Sequence, residues 1–301
     1  MAMNRAVFAK QLEPGLNTLF GHEYKQYPEQ WRDIFDYNTS VKAFEEDVLL
    51  EGFGAAATKN EGSAITYDTA AELWTARYNH DTIALAFSLT EEAEEDGLYG
   101  SLGKRYVKAM ARSMAHTKEI KGANILNNGF DNAYTGGDGL ELLSTAHVST
   151  SGNQSNELAT AADLSETSLE QILINISNAT DDRGIPAALT GMCLVLPTAL
   201  QFVGERLLKT QLRTATAEND INAVRSGGYL SGGYKVNQRL VDTDAWFIKT
   251  DCPDGMKVFQ RRSMKNGMEG DFETGNVRYK CSERYSFGWT DWRGVYGSPG
   301  A

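Results

Sequence analysis

Four stretches of this chain place side chains at spacings that could support chemistry. Gly52-Phe-Gly54-Ala-Ala-Ala57 follows the apolar Val48-Leu-Leu and approaches a dinucleotide fingerprint, with Glu72 at the distance of a ribose-binding carboxylate. That fingerprint needs a helix to begin at once, and Thr58-Lys-Asn-Glu-Gly-Ser63 breaks any helix, so no phosphate site is expected. Glu91, Glu92, Glu94, Glu95 and Asp96 could pair carboxylates for general acid/base work, but a solvated helix N-terminus accounts for the same run with nothing added. Asp131 to Glu141 loosely suggests a calcium loop without the alternating ligand spacing, and reads better as a glycine-rich turn. His22, His80, His116 and His147 have no partner at metal spacing, and His147 beside Thr145 and Ser149 does not make a nucleophile triad. Cys193, Cys252 and Cys281 lack any C-x-x-C spacing and read as reduced, partly buried thiols. No cofactor, metal or catalytic residue is expected. A carboxylate-dependent hydrolase using Glu91 to Asp96 is the rival reading from a different class.

The elements that would position these residues follow from composition and periodicity. The chain has 301 residues, with 29 basic against 40 acidic side chains and a net charge of -11. Phosphate contacts need a basic surface, so this balance opposes tight, sequence-independent binding of nucleic acid. No apolar run is long enough to span a bilayer, and the start Met-Ala-Met-Asn-Arg lacks the core of a secretory signal; a soluble intracellular protein of about two compact units is expected.

Residues 1 to about 40 read as an extended arm with a short helix near Pro28 to Asp36. Ala64 to Asp68 and Leu73 to Phe87 read as strands joined across Thr69 to Glu72. Such a hairpin is marginal alone in water, so it should lie on another surface. Ser88-Leu-Thr-Glu91 fits a capping box. A spine helix is expected from Lys104 to about Leu126, with Tyr106, Met110, Met114, Thr117, Ile120 and Ala123 on its apolar side and Lys118 among the solvated lysines. Asn127 to Thr160 reads as loop. Thr167-Ser-Leu-Glu170 caps a helix bearing Leu169, Ile172, Leu173 and Ile176. Met192 to Leu196 is a buried strand, Thr198 to Lys209 a helix, and Gly227, Gly228, Gly232 and Gly233 bracket a turn. Strands are expected at Tyr234 to Val236, Ala245 to Ile248, Met256 to Phe259 and Val277 to Tyr285. The stretch Tyr279 to Gly297 is so dense in aromatics that it reads as a contact surface for neighbours.

Taken in order, Trp31-Arg-Asp-Ile-Phe35, Lys42-Ala-Phe-Glu-Glu46, Leu89-Thr-Glu-Glu-Ala-Glu-Glu-Asp96, Asn127-Asn-Gly-Phe130, Gly137-Asp-Gly139 with Ser144-Thr-Ala-His147, Asp244-Ala-Trp246, Cys281-Ser-Glu-Arg284 and the aromatic tail carry a resemblance. Over nearly its whole length the chain resembles the major capsid protein of tailed bacteriophages, the Hong Kong 97-type shell fold, and most closely the Mu-like major head subunit branch. The resemblance implies an α+β fold with an N-terminal arm (1–45), an extended β-hairpin loop (46–88), a discontinuous peripheral domain (89–160 and 242–301) and an axial domain (161–241). It implies self-assembly into an icosahedral capsid of hexamers and pentamers around packaged double-stranded DNA, without enzymatic activity. Implied partners are copies of itself, a separate scaffold protein, a portal and cement proteins, with no membrane; the location is the virion capsid, assembled in the host bacterial cytoplasm. Candidate contacts between subunits are Lys59, Glu61, Asp68, Trp74, Arg77, Tyr78, Glu91, Glu92, Arg284, Trp289, Trp292 and Arg293, with Gly52, Gly54 and Gly62 as loop hinges. An acidic chain suits an inner wall that does not hold the genome fast. No Lys, Glu and Asn set marks the isopeptide cross-link that some relatives form. A close alternative is the shell of an encapsulin-type nanocompartment, whose cargo would be protein.

Overall fold

Two four-stranded sheets and a separate two-stranded ribbon organise the computed structural model, which describes residues 6–90, 103–212, 220–271 and 275–301. The first sheet runs in the order β1 (Asp36–Thr39), β8 (Met256–Gly270), β9 (Val277–Trp289) and β4 (Asp81–Leu89). In β9 the side chains alternate: Val277, Tyr279, Cys281, Glu283 and Tyr285 are buried, while Arg278 and Lys280 are exposed. A period of two gives the sheet one covered face. That face packs under α1 (Ala6–Gln26) and α2 (Lys104–Asn127), where Leu16, Phe20, Val107, Met110, Ala111 and Met114 meet Tyr279 and Cys281.

The extended arm expected at the N-terminus is a helix instead. Leu16 and Phe20, four residues apart on α1, bury against α2, and tertiary packing of this kind outweighs the weak propensity around Pro14 and Gly15. After α1 a 3-10 turn, Gln30–Asp33, carries Trp31 into the core with Ile34 and Phe35. The spine helix lies where it was expected, but its buried face is turned. Val107, Met110, Ala111, Met114, Lys118, Ala123 and Leu126 face inward, whereas Tyr106 and Ile120 are exposed. Lys118 completes the i, i+4, i+7 and i+11 stripe from Val107, and an apolarity pattern cannot assign a lysine to the inside.

The expected hairpin also pairs differently. β3 (Glu72–Asn79) runs antiparallel to β2 (Phe44–Leu50), from Phe44 opposite Asn79 to Leu50 opposite Glu72, while Ala64 to Asp68 forms no strand. The run from Leu73 to Phe87 is two strands, because His80 divides it. Its buried ring sits between Ser286 Oγ (2.9 Å) and Ser40 Oγ (3.0 Å), and beyond it β4 leaves the ribbon to pair with β9.

The second sheet has the order β10 (Val295–Ser298), β7 (Trp246–Thr250), β5 (Gly191–Leu196) and β6 (Tyr234–Val236), with β5 and β6 parallel. Leu169, Ile172, Leu173 and Ile176 of α3 (Glu166–Ser177) fill its core with Leu194, Trp246 and Ile248. The cap of α3 lies two residues before the expected one, where Ser165 and Ser168 satisfy each other's backbone N–H. α4 (Gln201–Lys209) and the short α5 (Ala223–Ser226) complete this half. The segment 242–301 contributes to both sheets: β8 and β9 enter the first, β7 and β10 the second.

Candidate functional site

The ribbon is rooted by side chains of its own subunit. Asp47 accepts from Lys257 Nζ at 2.7 Å and from Thr290 Oγ1 at 3.3 Å. Tyr78 OH meets the same Thr290 hydroxyl at 2.6 Å, and Trp74 Nε1 donates to Thr290 O at 3.1 Å. Gly137 makes room for this joint, since a Cβ there would lie 2.5 Å from Trp74 Cδ1. Tyr78 is buried edge-on to Phe259 in its own subunit, and Trp74 is likewise engaged within its own chain. Arg77 stays exposed, its guanidinium 4.0 Å from the Phe44 ring and 3.8 Å from Glu46.

Past this root, residues 51–71 run outward as coil and turn, nearly all of them exposed. Phe53, Ile65 and Tyr67 are 63%, 67% and 94% exposed. One cation ties the segment down: Arg183 lies 3.1 Å from Glu51 and 3.7 Å from Asp68 and donates to Thr69 O at 2.5 Å. Asp68 accepts the backbone N–H of Gly54 and of Thr69, each at 2.8 Å, and these bonds hold its carboxyl below the usual range. Lys59 and Glu61 are exposed. Of the three hinge candidates only Gly62 has a positive φ, 79°, a backbone state that favours glycine.

The aromatic terminus turns inward. Tyr279, Tyr285, Trp292 and Tyr296 are each 2% exposed or less, and Arg293 only 3%. Arg293 bonds Asp182 at 3.0 Å, Asp291 at 3.3 Å, Gln154 at 3.3 Å and Thr180 O at 3.0 Å, with its guanidinium 4.3 Å from the Trp292 ring. Trp292 and Arg293 are therefore buried in the core of their own chain. Large aromatics that suit an interface suit a core equally, and composition does not separate the two. Trp289 remains half-buried and lines a groove of about 410 Å³ with Asn79, Lys121, Tyr134 and Phe287. Arg284, also half-buried, donates to His80 O and Ala43 O. Glu91 and Glu92, with the capping box at Ser88 to Glu91 and the carboxylates of the hydrolase reading, lie outside the described residues apart from Ser88, Leu89 and Thr90.

Two buried polar clusters escaped the sequence reading. His147 Nδ1 meets Asp138 at 2.6 Å, and the ring stacks on Trp292 at 4.3 Å and 2°. The pairing has the form of an Asp–His dyad, yet Nε2, which would serve a nucleophile, is buried with no partner among the described residues. The pair fastens a loop. Its traces in sequence were Gly137-Asp-Gly139 and Ser144-Thr-Ala-His147, which no spacing rule joins. In the second cluster Lys118 Nζ bonds Gln260 at 2.8 Å and Glu283 at 3.3 Å, between the rings of Trp31 and Tyr285. Next to it Glu119 accepts the Trp31 N–H at 3.2 Å, and burial pushes its carboxyl up to about 7.

Burial also raises the thiols, Cys281 to about 11 and Cys193 and Cys252 upward as well; none is poised as a thiolate nucleophile. Among the described residues no group of three or more His, Cys, Asp or Glu could hold a metal, and no helix is long and apolar enough to cross a membrane.

A two-stranded ribbon with an exposed apolar tip has the form of an assembly element. No curated protein matches the sequence. Among solved structures, the fold is similar to the capsid of a native GTA particle (TM-score 0.54, 11% identity, 90% of this chain and 90% of that one). It is also similar to the capsid of Myoviridae Phage XM1 (0.52, 12%, 88% and 90%) and to Microbacterium phage Oxtober96 (0.51, 9%, 90% and 91%). At such identities these likenesses speak for the fold. A family model described as phage capsid protein matches residues 74–298. Because that match runs from Trp74 in the ribbon to Ser298 in the last strand and takes in both sheets, the chain belongs to the phage capsid protein family, as a structural subunit of the shell.

Proposed function

We propose that the ribbon and its tip lie across neighbouring copies of the chain in an icosahedral shell around the packaged double-stranded DNA of a tailed phage. The observation that carries this is the exposure of Tyr67, Phe53 and Ile65 together on one projection. Large apolar side chains gathered outside the body mark a partner surface, and a two-stranded ribbon has no core of its own to bury them. Arg183 limits the conformations of the tip before association, which lowers the entropy cost of docking. Lys59, Glu61, Asp68 and Arg77 are then the charges offered to a neighbour, with Trp289 and Arg284 near the root, and Glu91 and Glu92 as further candidates. Gly62 lets the tip adjust between hexamers and pentamers, with Gly52 and Gly54 as secondary hinges.

In this reading the first sheet with α1 and α2 is the peripheral unit. The second sheet with α3, α4 and α5 gathers around the symmetry axes. The subunit belongs to the Mu-like branch and assembles in the host bacterial cytoplasm, guided by a separate scaffold protein and joined by a portal and cement proteins. Identical chains close a shell because each offers complementary edges to its copies.

Electron microscopy and size-exclusion chromatography of the full chain test the reading. Wild type is expected to form shells, while Phe53→Ser/Tyr67→Ser keeps its melting temperature and stays unassembled. A double variant that assembles as well as wild type would remove the ribbon tip from the assembly surface.

A further inference from the structure

We propose that the open face of the first sheet is a docking surface for the phosphate backbone of duplex nucleic acid. Helices α1 and α2 cover one side of this sheet. On the other, Arg278, Lys280, Ser282 and Arg284 of β9 alternate with the buried series. The register sets Arg284 opposite Arg262, Ser282 opposite Lys265 and Lys280 opposite Gly267 on β8. Across β9 the same rows meet Thr82, Ala84, Ala86 and Ser88 of β4. Residues two apart along a strand are about 6.7 Å apart, and neighbouring strands about 4.8 Å, so the cations form a flat field above small side chains.

Within the subunit these charges are poorly compensated. Arg278 pairs with Asp271 at 2.5 Å, and Arg262 donates to Ser282 Oγ at 2.9 Å. Lys265 and Lys280 meet no carboxylate among the described residues, and the one acid in these rows is Glu269, opposite Arg278. Arg262 and Arg284 stand directly opposite each other, an arrangement that costs stability in a sheet unless a counter-charge is supplied. The chain as a whole carries -11, so this face is a local reversal of sign.

The chemistry of the face selects the partner. Among the described residues, the rows from Arg278 to Arg284 offer no aromatic or large apolar side chain to anchor a protein, and no ring on which the bases of a single strand could stack. Evenly spread cations on a flat ground suit sequence-independent phosphate contacts. The shell reading contributes only the source of the polyanion, the enclosed genome.

Full-length subunit and Lys265→Ala/Lys280→Ala are compared for binding to a random-sequence duplex by fluorescence anisotropy as NaCl is varied. Lys108→Ala, on the helix-covered side, serves as charge control, and melting temperatures confirm folding. Loss of two phosphate contacts should lower the log–log salt slope by about 1.8, which is about 60-fold in affinity at about 0.1 M NaCl. Unchanged binding by the double variant, or no binding by wild type at low salt, overturns the proposal. A polyglutamate peptide that binds the face as well as the duplex does would overturn it in favour of an acidic protein. Shell formation is scored separately by microscopy, so shells without duplex binding sink this inference alone, and duplex binding without shells sinks the assembly reading alone.

Discussion

Replacing Lys118 by methionine tests whether the spine helix is held to the first sheet by charge. The Lys118 and Glu283 side chains are 7% and 2% exposed, with Nζ and Oε2 3.3 Å apart. Lys118→Met keeps the length and apolar stem and removes the ammonium, leaving Glu283 buried with the more distant Tyr24 hydroxyl at 3.4 Å. Breaking one side of a buried pair costs about 3–5 kcal/mol, which corresponds to a melting temperature lower by on the order of 10 °C. Burial already raises the Glu283 carboxyl above its ordinary value, opposed first by the charge of Lys118. In the variant that opposition is gone. The folded state then binds a proton that the unfolded state releases near pH 4.5, so stability falls as pH rises above that value. Thermal denaturation of the subunit should show a larger deficit at pH 8 than at pH 5, and Lys118→Met/Glu283→Gln should recover more than half of it. A loss below about 1 kcal/mol, a deficit independent of pH, or no recovery in the double variant would refute the reasoning.

Glu119 gives a second pH test. Its carboxyl is raised to about 7 by burial, so wild type should lose stability from about pH 4.5 to 7, and Glu119→Gln should lose less over the same range. The two denaturation curves should separate by on the order of 3 kcal/mol by pH 8, and parallel curves would exclude a buried, titrating Glu119. Trp292→Ala should destabilise the unassembled subunit by about 3–5 kcal/mol, measured by denaturant unfolding; an unchanged midpoint would return Trp292 to the contacts between subunits. Arg183→Ala should speed amide hydrogen exchange across residues 52–71 while shifting global stability by less than about 1 kcal/mol, and unchanged exchange would show that Arg183 does not hold the tip.

The periodic elements were legible because local patterning alone specifies them. The α3 stripe Leu169, Ile172, Leu173 and Ile176, the strand β5, and the length of α2 each follow from side chains spaced to bury one face. The alternation that buries Val277 to Tyr285 also exposes Arg278 and Lys280. The sequence further determined that residues 52–63 open no helix, through Thr58-Lys-Asn-Glu-Gly-Ser63. Pairing between distant residues was decided only in three dimensions. Nothing near Phe44 announces Asn79 as its partner, and the division of the run at His80 depends on Ser40 and Ser286, hydroxyls far away in the chain. Burial of Lys118 requires Glu283 and Gln260 to arrive from two strands, and the inward turn of Trp292 and Arg293 requires His147, Asp182 and Gln154 around them. A residue type records its capacity to be buried; which surface buries it, its own core or a neighbouring copy, is a property of where the chain brings it.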